Sequence, residues 1–179
     1  MIRHFSKIKP KTLLYLGCGA GIKGINDYTF KKYFKVTGVD ISNGMLKIDR
    51  ELNAEVKYIH GDMREIRLKT LFDAVAIPDS IGYMAAVKDL RKAINTAYRH
   101  LNTGGLLLII ARIRDNFKEN NFLYTGSKKD TRITIFENNC ITNKTNYEAT
   151  LVYLIRRKTK LKIYTDKHTI GLFNLTTRR

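Results

Sequence analysis

Hydrophobic and polar positions along the chain fall into two textures. From Thr12 to Ala111, short apolar runs alternate with stretches of helical period. Leu13-Leu14-Tyr15-Leu16 reads as a buried strand, about Thr12–Leu16, running into glycines at alternate positions, Gly17, Gly19 and Gly21. The next stretch, Ile22 to about Lys35, carries Ile25, Tyr28, Phe30, Tyr33 and Phe34 at roughly helical spacing. Val36–Asp40 predicts a second strand, Asn43–Leu52 a helix with Met45, Ile48 and Leu52 on one side, and Val56–Ile59 a third strand. Phe72–Ile77, closed by Pro78, predicts the fourth strand. Ala85–Leu101 has a helical period, Asn102 to Gly105 stop it, and Leu106–Ala111 predicts the fifth strand. Strands alternating with helices imply an α/β fold: a parallel sheet with helices on both faces.

Beyond Ala111 the helical period vanishes. Arg112–Asp130 is polar and reads as a loop, with Asn120-Asn121 and Gly126. Thr131–Phe136, Tyr147–Arg157 and Leu161–Thr165 are β-rich, and Lys158-Thr159-Lys160 predicts a hairpin turn between the last two. Tyr147, Ala149, Leu151, Tyr153 and Ile155 share one face, while Val152 and Leu154 make the other apolar as well. The expected organisation is a core over 1–112, a connecting loop over 113–130 and a small antiparallel extension over 131–179.

Composition narrows the class. The chain has 179 residues, 44% of them hydrophobic, enough for one domain or a domain with a small extension. Cys18 and Cys140 stand far apart without a CxxC, and His4, His60, His100 and His168 lack metal-ligand spacing, so neither a disulfide framework nor a metal site is expected. The longest apolar run, Leu106 to Ala111, is too short for a bilayer, and the N-terminus shows no signal-peptide pattern. A cytoplasmic protein without membrane association is the expectation. The net charge of +17 steers the chain toward anions. Its basic residues are spread out, with one block at Arg156-Arg157-Lys158, Lys160 and Lys162, so a specific nucleic-acid role is not favoured.

Strand, glycine turn and helix make a ligand-binding unit for a nucleotide-like molecule. Two fingerprints compete at the glycines: Gly17, Gly19 and Gly21 as G-x-G-x-G, or Gly19, Gly21 and Gly24 as the dinucleotide pattern G-x-G-x-x-G. Asp40 sits where either scheme expects a ribose-binding acid; it could also cap the next helix. A second acid follows strand three in Tyr58-Ile59-His60-Gly61-Asp62-Met63, where it could bind adenine or close a turn.

With Pro78-Asp79-Ser80-Ile81-Gly82-Tyr83-Met84 after strand four and Asn102-Thr103-Gly104-Gly105 before strand five, this order resembles the class I S-adenosylmethionine-dependent methyltransferases over about residues 12–111. The resemblance implies a Rossmann-like sheet of order 3-2-1-4-5 and S-adenosyl-L-methionine as cofactor. It implies that Gly17, Cys18 and Gly19 form the cofactor turn, that Asp40 holds the ribose diol, and that Ile41 and Met45 flank the adenine. Asp62 and Met63 would contact the adenine edge and face, and backbone at Ile77 and Pro78 the methionyl part. Asp79 and Tyr83, just past strand four, are the candidate catalytic residues. The antiparallel region is similar to the sheet inserted after strand five in glycine and amino-sugar N-methyltransferases. That implies a cover over the acceptor site and a small-molecule amine as acceptor. His168 on that sheet is a candidate, set against the reading of a lone histidine as structural.

Tyr15 departs from that family's usual acid, which predicts weaker cofactor binding. The sequence starts a few residues before strand one and stops where the family begins another helix. A version shortened at both ends is expected, with strand five as an exposed edge and a homodimer left open. The rival readings are a nicotinamide-dependent oxidoreductase, a degenerate methyltransferase fold that binds through its basic surface, and an RNA methyltransferase.

Overall fold

A computed structural model of the chain describes residues 10–19 and 32–174. The body of the helix expected after the glycine turn, with Gly21 and Gly24, lies outside the described residues. The chain divides into two units, Met1–Ala111 and Arg112–Arg179.

The first unit contains β1 (Thr12–Leu16), β2 (Lys35–Asp40), α1 (Asn43–Leu52), β3 (Lys57–His60) and β4 (Phe72–Pro78). A 3-10 turn (Ser80–Tyr83), α2 (Val87–Arg99) and β5 (Leu101–Ile110) complete it. The strands form a parallel sheet in the order β3-β2-β1-β4-β5. The unbroken apolar run of β1 suits a central strand buried on both faces, and Leu13, Leu14 and Leu16 are fully buried. Leu13, Tyr15, Ala74 and Ala76 pack with Leu46 of α1 on one face. Leu14, Leu16, Val75 and Ile77 alternate onto the other and are equally buried. Tyr15 lies in register between Gly38 of β2 and Ala76 of β4, two small neighbours that leave room for its ring. Gly38 is constrained by close approach: a Cβ there would come within 2.9 Å of the Tyr58 ring and 3.0 Å of Cys18 Sγ.

Two expectations about helix faces and strand limits need correction. Met45, Ile48 and Leu52 of α1 are 44%, 41% and 60% exposed, and the buried row is Leu46 with Asp49. The hydrophobic pattern selected the wrong row because the true inner row includes a carboxylate, whose Oδ2 accepts from Cys18 Sγ at 3.7 Å. Strand five begins at Leu101 rather than Leu106. Leu101 pairs with Phe72, the register shifts between Phe72 and Ala74, and pairing resumes at Leu106. The intervening Asn102 donates from Nδ2 to Asp73 Oδ1 at 2.9 Å, which ties the irregular stretch to β4.

The second unit is an antiparallel sheet of β6 (Asn120–Lys128), β7 (Thr131–Ile141), β8 (Asn146–Arg157) and β9 (Lys160–Gly171), in sequence order. The expected connecting loop over 113–130 is therefore half strand: Asn120 to Lys128 pairs with β7 along its length. Asn, Gly and Ser disfavour strands intrinsically, and here the paired neighbour overrides that preference. Tyr147, Ala149 and Leu172 form this unit's core, with Phe117 stacked on Tyr147 at 4.3 Å between ring centroids. Among the described residues no helix is long and apolar enough to cross a membrane.

Candidate active site

A parallel sheet brings the carboxyl ends of its strands to one edge, where open α/β sheets bind ligands. The chain knots that edge together at Asp40, the last residue of β2. Its Oδ2 accepts from Gly19 N at 2.8 Å and its Oδ1 from Ser42 N at 2.8 Å. Its carbonyl accepts from Gly61 N at 3.0 Å, just past β3. Gly17 N and Cys18 N both donate to Val39 O, at 2.8 and 3.1 Å. The N–H groups of Gly17, Cys18 and Gly19 are thus committed within the chain, and the open Cα face of the turn is at Gly19, where a Cβ would meet nothing within 4 Å. Gly17 and Gly19 take φ values of 69° and 54°, a region that favours glycine. At Gly17 space is also decisive: a Cβ would overlap the Ser80 side chain and come within 2.9 Å of the Met63 methyl.

Asp40 does not cap α1; Ser42 does, its Oγ accepting from Met45 N at 3.3 Å. Each Asp40 oxygen accepts one backbone bond and keeps further acceptor capacity, the requirement for gripping a vicinal diol. Asp62 is differently placed. Arg64 donates from Nε to both of its oxygens, at 3.0 and 2.9 Å, and from its backbone N to Oδ1 at 2.8 Å. These hydrogen bonds, the Arg64 side chain's foremost, hold the Asp62 carboxyl below its ordinary range. Arg64 also reaches Asp89 of α2 at 3.5 Å.

The loop carrying Asp62 and Met63 is fixed from behind by α2. Thr96 Oγ1 donates to Arg64 O at 3.0 Å. Buried His100 accepts from Leu68 N on Nε2 at 2.9 Å and so donates from Nδ1 to Thr96 O at 2.7 Å. Those two bonds require the Nδ1–H tautomer.

The remaining candidates spread around the edge. Ile41 and Met45 are 62% and 44% exposed, open for contact with a planar ring. The Cys18 side chain turns into the core, so only its backbone belongs to the turn. Pro78 is buried at the end of β4, and exposed Asp79 follows with φ 62°. Tyr83 ends the 3-10 turn at 55% exposure. His168 lies on β9 in the second unit, its Nε2 3.1 Å from Asp166 Oδ2. Sequence reasoning missed Ser80, Arg64 and His100. Ser80 donates to Leu16 O at 3.1 Å, and only the β1–β4 pairing reveals that contact. The Asp-x-Arg spacing of Asp62 and Arg64 was a usable signal for a local ion pair. A cavity of about 360 Å³ lined by Pro10, Lys11, Asp73 and Asn102 to Gly105 lies at the opposite end of the strands and is not this site.

Residues 14–109 match the family described as "Methyltransferase domain". The chain belongs to the methyltransferase domain family. Membership displaces the nicotinamide alternative, whose glycine pattern also runs into residues outside those described. The chain is similar, at 30% identity over 102 residues, to dTDP-3-amino-3,4,6-trideoxy-alpha-D-glucopyranose N,N-dimethyltransferase of Streptomyces venezuelae, covering 56% of this chain and 42% of that protein. It is 25% identical over 171 residues to dTDP-4-amino-2,3,4,6-tetradeoxy-D-glucose N,N-dimethyltransferase of Saccharopolyspora spinosa, covering 92% of this chain and 66% of that protein. The chain therefore spans less than two thirds of either relative. Among solved structures, the sugar N-methyltransferase KedS8 from Streptoalloteichus sp. superimposes with a TM-score of 0.87 at 21% identity, covering 96% of this chain and 70% of that one. CalS10, an amino pentose methyltransferase from Micromonospora echinaspora solved with SAM bound, gives 0.79 at 20% identity, covering 97% of this chain and 76% of that one. Both likenesses bear out the fold expected of this methyltransferase domain.

Proposed function

We propose that the chain is an S-adenosylmethionine-dependent methyltransferase acting on a small-molecule amine, with amino sugars the favoured class. The observation that carries this reading is Asp40, whose carboxylate bridges Gly19 and Ser42 at the meeting of the strand ends and retains acceptor capacity for a ribose diol. The acceptor class comes from the relatives, which are named for N,N-dimethylation of amino sugars.

When bound, the cofactor supplies a methyl group on a sulfonium, which leaves sulfur as the acceptor nitrogen's lone pair forms the new N–C bond. The chain's residues hold and align. Asp40 takes the ribose hydroxyls, Gly17 and Cys18 shape the turn, the open face of Gly19 allows close approach, and Ile41, Met45 and Met63 border the adenine. Backbone at Ile77 and Pro78 meets the methionyl part. Alignment of the two reactants accounts for up to ~7–11 kcal/mol of barrier lowering. An amine attacks only when unprotonated, and Asp79 with Tyr83 is proposed to orient it and receive its proton. The second unit is proposed to contribute to acceptor choice.

Asp62 can accept the adenine amine only where Arg64 yields, so cofactor binding competes with that ion pair. Tyr15 joins the core at 7% exposure and supplies no carboxylate to the cofactor's ammonium, which favours weak binding. Calorimetric titration with S-adenosylmethionine and S-adenosylhomocysteine tests the reading. Asp40→Asn is expected to weaken binding by about tenfold or more, equivalent to ~1.4 kcal/mol. Asp62→Asn should weaken it and Arg64→Ala strengthen it. No heat at millimolar cofactor would leave a fold without the activity. A methyl-transfer screen over amines, nucleotide-linked amino sugars and tRNA then decides the acceptor.

A further inference from the structure

The second unit joins the basic block of Arg156, Arg157, Lys158, Lys160 and Lys162 to Lys128, Lys129 and Arg132, which lie far from it in sequence. The β6–β7 turn, Lys129-Asp130, and the β8–β9 turn, Lys158-Thr159, lie at the same end of the sheet, where Lys158 N donates to Asp130 O at 3.0 Å. Residues paired across antiparallel strands share a face. The register therefore builds a row of Lys128, Thr131, Arg157 and Lys160 across the strands. Lys162 stands in the next row on that face, beside Ile155. Arg132 and Arg156 pair on the opposite face. With the two turn lysines, the hairpin end is basic on both sides, and Asp130 is the one acid there among the described residues. All of these charged residues are exposed.

One row further from the tip lie Tyr124, Ile135, Tyr153 and Tyr164. Tyr124 and Tyr164 are 47% and 50% exposed, and Phe122 on the same face is 42% exposed and stacked near Tyr124 at 6.0 Å. Rows on one face are about 7 Å apart along the strands. Glu137 and Asp166 occupy the following row and close the basic area on that side. Exposed aromatic rings one row from Lys162 and two rows from Lys128, Arg157 and Lys160 fit bases stacked on a sheet with phosphates held alongside. A double helix hides its base faces and offers the rings nothing to stack on.

We propose that this hairpin end binds single-stranded nucleic acid, with Lys128, Arg157, Lys160 and Lys162 on the phosphates and Tyr124 and Tyr164 stacked on bases. The surface goes beyond the proposed methyl transfer and does not rest on it. Fluorescence anisotropy of a labelled oligouridine with the full chain, between about 50 and 200 mM salt, measures it. The unsubstituted protein should bind with a steep salt dependence. Combined Arg157→Glu, Lys160→Glu and Lys162→Glu should weaken binding by about tenfold or more and lower the salt slope by roughly 2. Tyr124→Ala and Tyr164→Ala should each weaken binding by about fivefold or more without changing the slope.

Reversing the exposed Lys47, Lys57 and Lys88 of the first unit removes the same charge and should change affinity less than about twofold, since these lysines lie outside the proposed surface. Thermal melting checks each variant, and glutamine replacements at Arg157, Lys160 and Lys162 carry the test should the reversals melt early. Absence of oligouridine binding, equal losses in the two reversal sets, or binding to phosphatidylserine vesicles in its place overturns the proposal.

Discussion

Asp73 shows how one side chain can set a local structure. It is the second residue of β4 and accepts from Lys11 N at 2.9 Å, Thr12 N at 3.0 Å, Thr12 Oγ1 at 3.0 Å and Asn102 Nδ2 at 2.9 Å. The donors, Lys11 N first, hold its carboxyl below the ordinary range. A carboxyl whose folded pKa lies below its unfolded one stabilises above the unfolded value, near ~3.9, and the contribution is lost as pH falls through the folded one. Asp73→Ala should cost roughly 1–3 kcal/mol at neutral pH and less in strong acid, where protonation has already removed the charged share of these bonds, read from urea denaturation at both ends. Gly17 sets a second residue-scale limit. Gly17→Ala adds a Cβ into Ser80 at a left-handed φ. It should destabilise by about 2 kcal/mol or more, by chemical denaturation, and cut cofactor binding in parallel. Gly17 and Asp40 were legible as candidates because a glycine after a strand and an acid at a strand end are local signals. The Arg64 grip on Asp62 and the Ser80 contact with Gly17 were not, because they depend on how a loop folds back and on which strands are neighbours.

Among elements, the hairpins of the second sheet carry a removable strain. Lys129 and Lys158 are the first residues of their two-residue turns and take φ values of 50° and 53°. Glycine meets that geometry without penalty. Lys129→Gly and Lys158→Gly should each raise stability by ~0.5–1 kcal/mol, measured as a higher denaturation midpoint; an unchanged or lower midpoint would show that the turns are relaxed with lysine. The elements themselves were read well where hydrophobic period and secondary structure agree, as in β1 and β4. They were misread where a partner imposed the structure: β6 is a strand because β7 lies beside it. The inner row of α1 was missed because Asp49 breaks the apolar pattern.

The whole molecule carries 33 basic against 16 acidic residues, and the folded state confines that excess within a small volume. Self-repulsion lowers stability, and salt screens it over about 10 Å at 0.1 M. The melting temperature should rise as sodium chloride increases from about 20 to 500 mM, by several degrees in a calorimetric scan. A flat or falling trend would mean that the charges are spaced widely enough to cost nothing.

The sequence by itself determined the alternating strands and helices, the sheet order implied by the family resemblance, the glycine turn and the acid that closes it. Each of those depends on periodicity or on residues close together along the chain. Tertiary structure decided what proximity in space creates: Arg64 holding Asp62, Ser80 against Gly17, and two distant lysine-bearing turns at one end of a sheet. Contacts between positions far apart in sequence are fixed by strand register and packing, and a linear pattern contains neither.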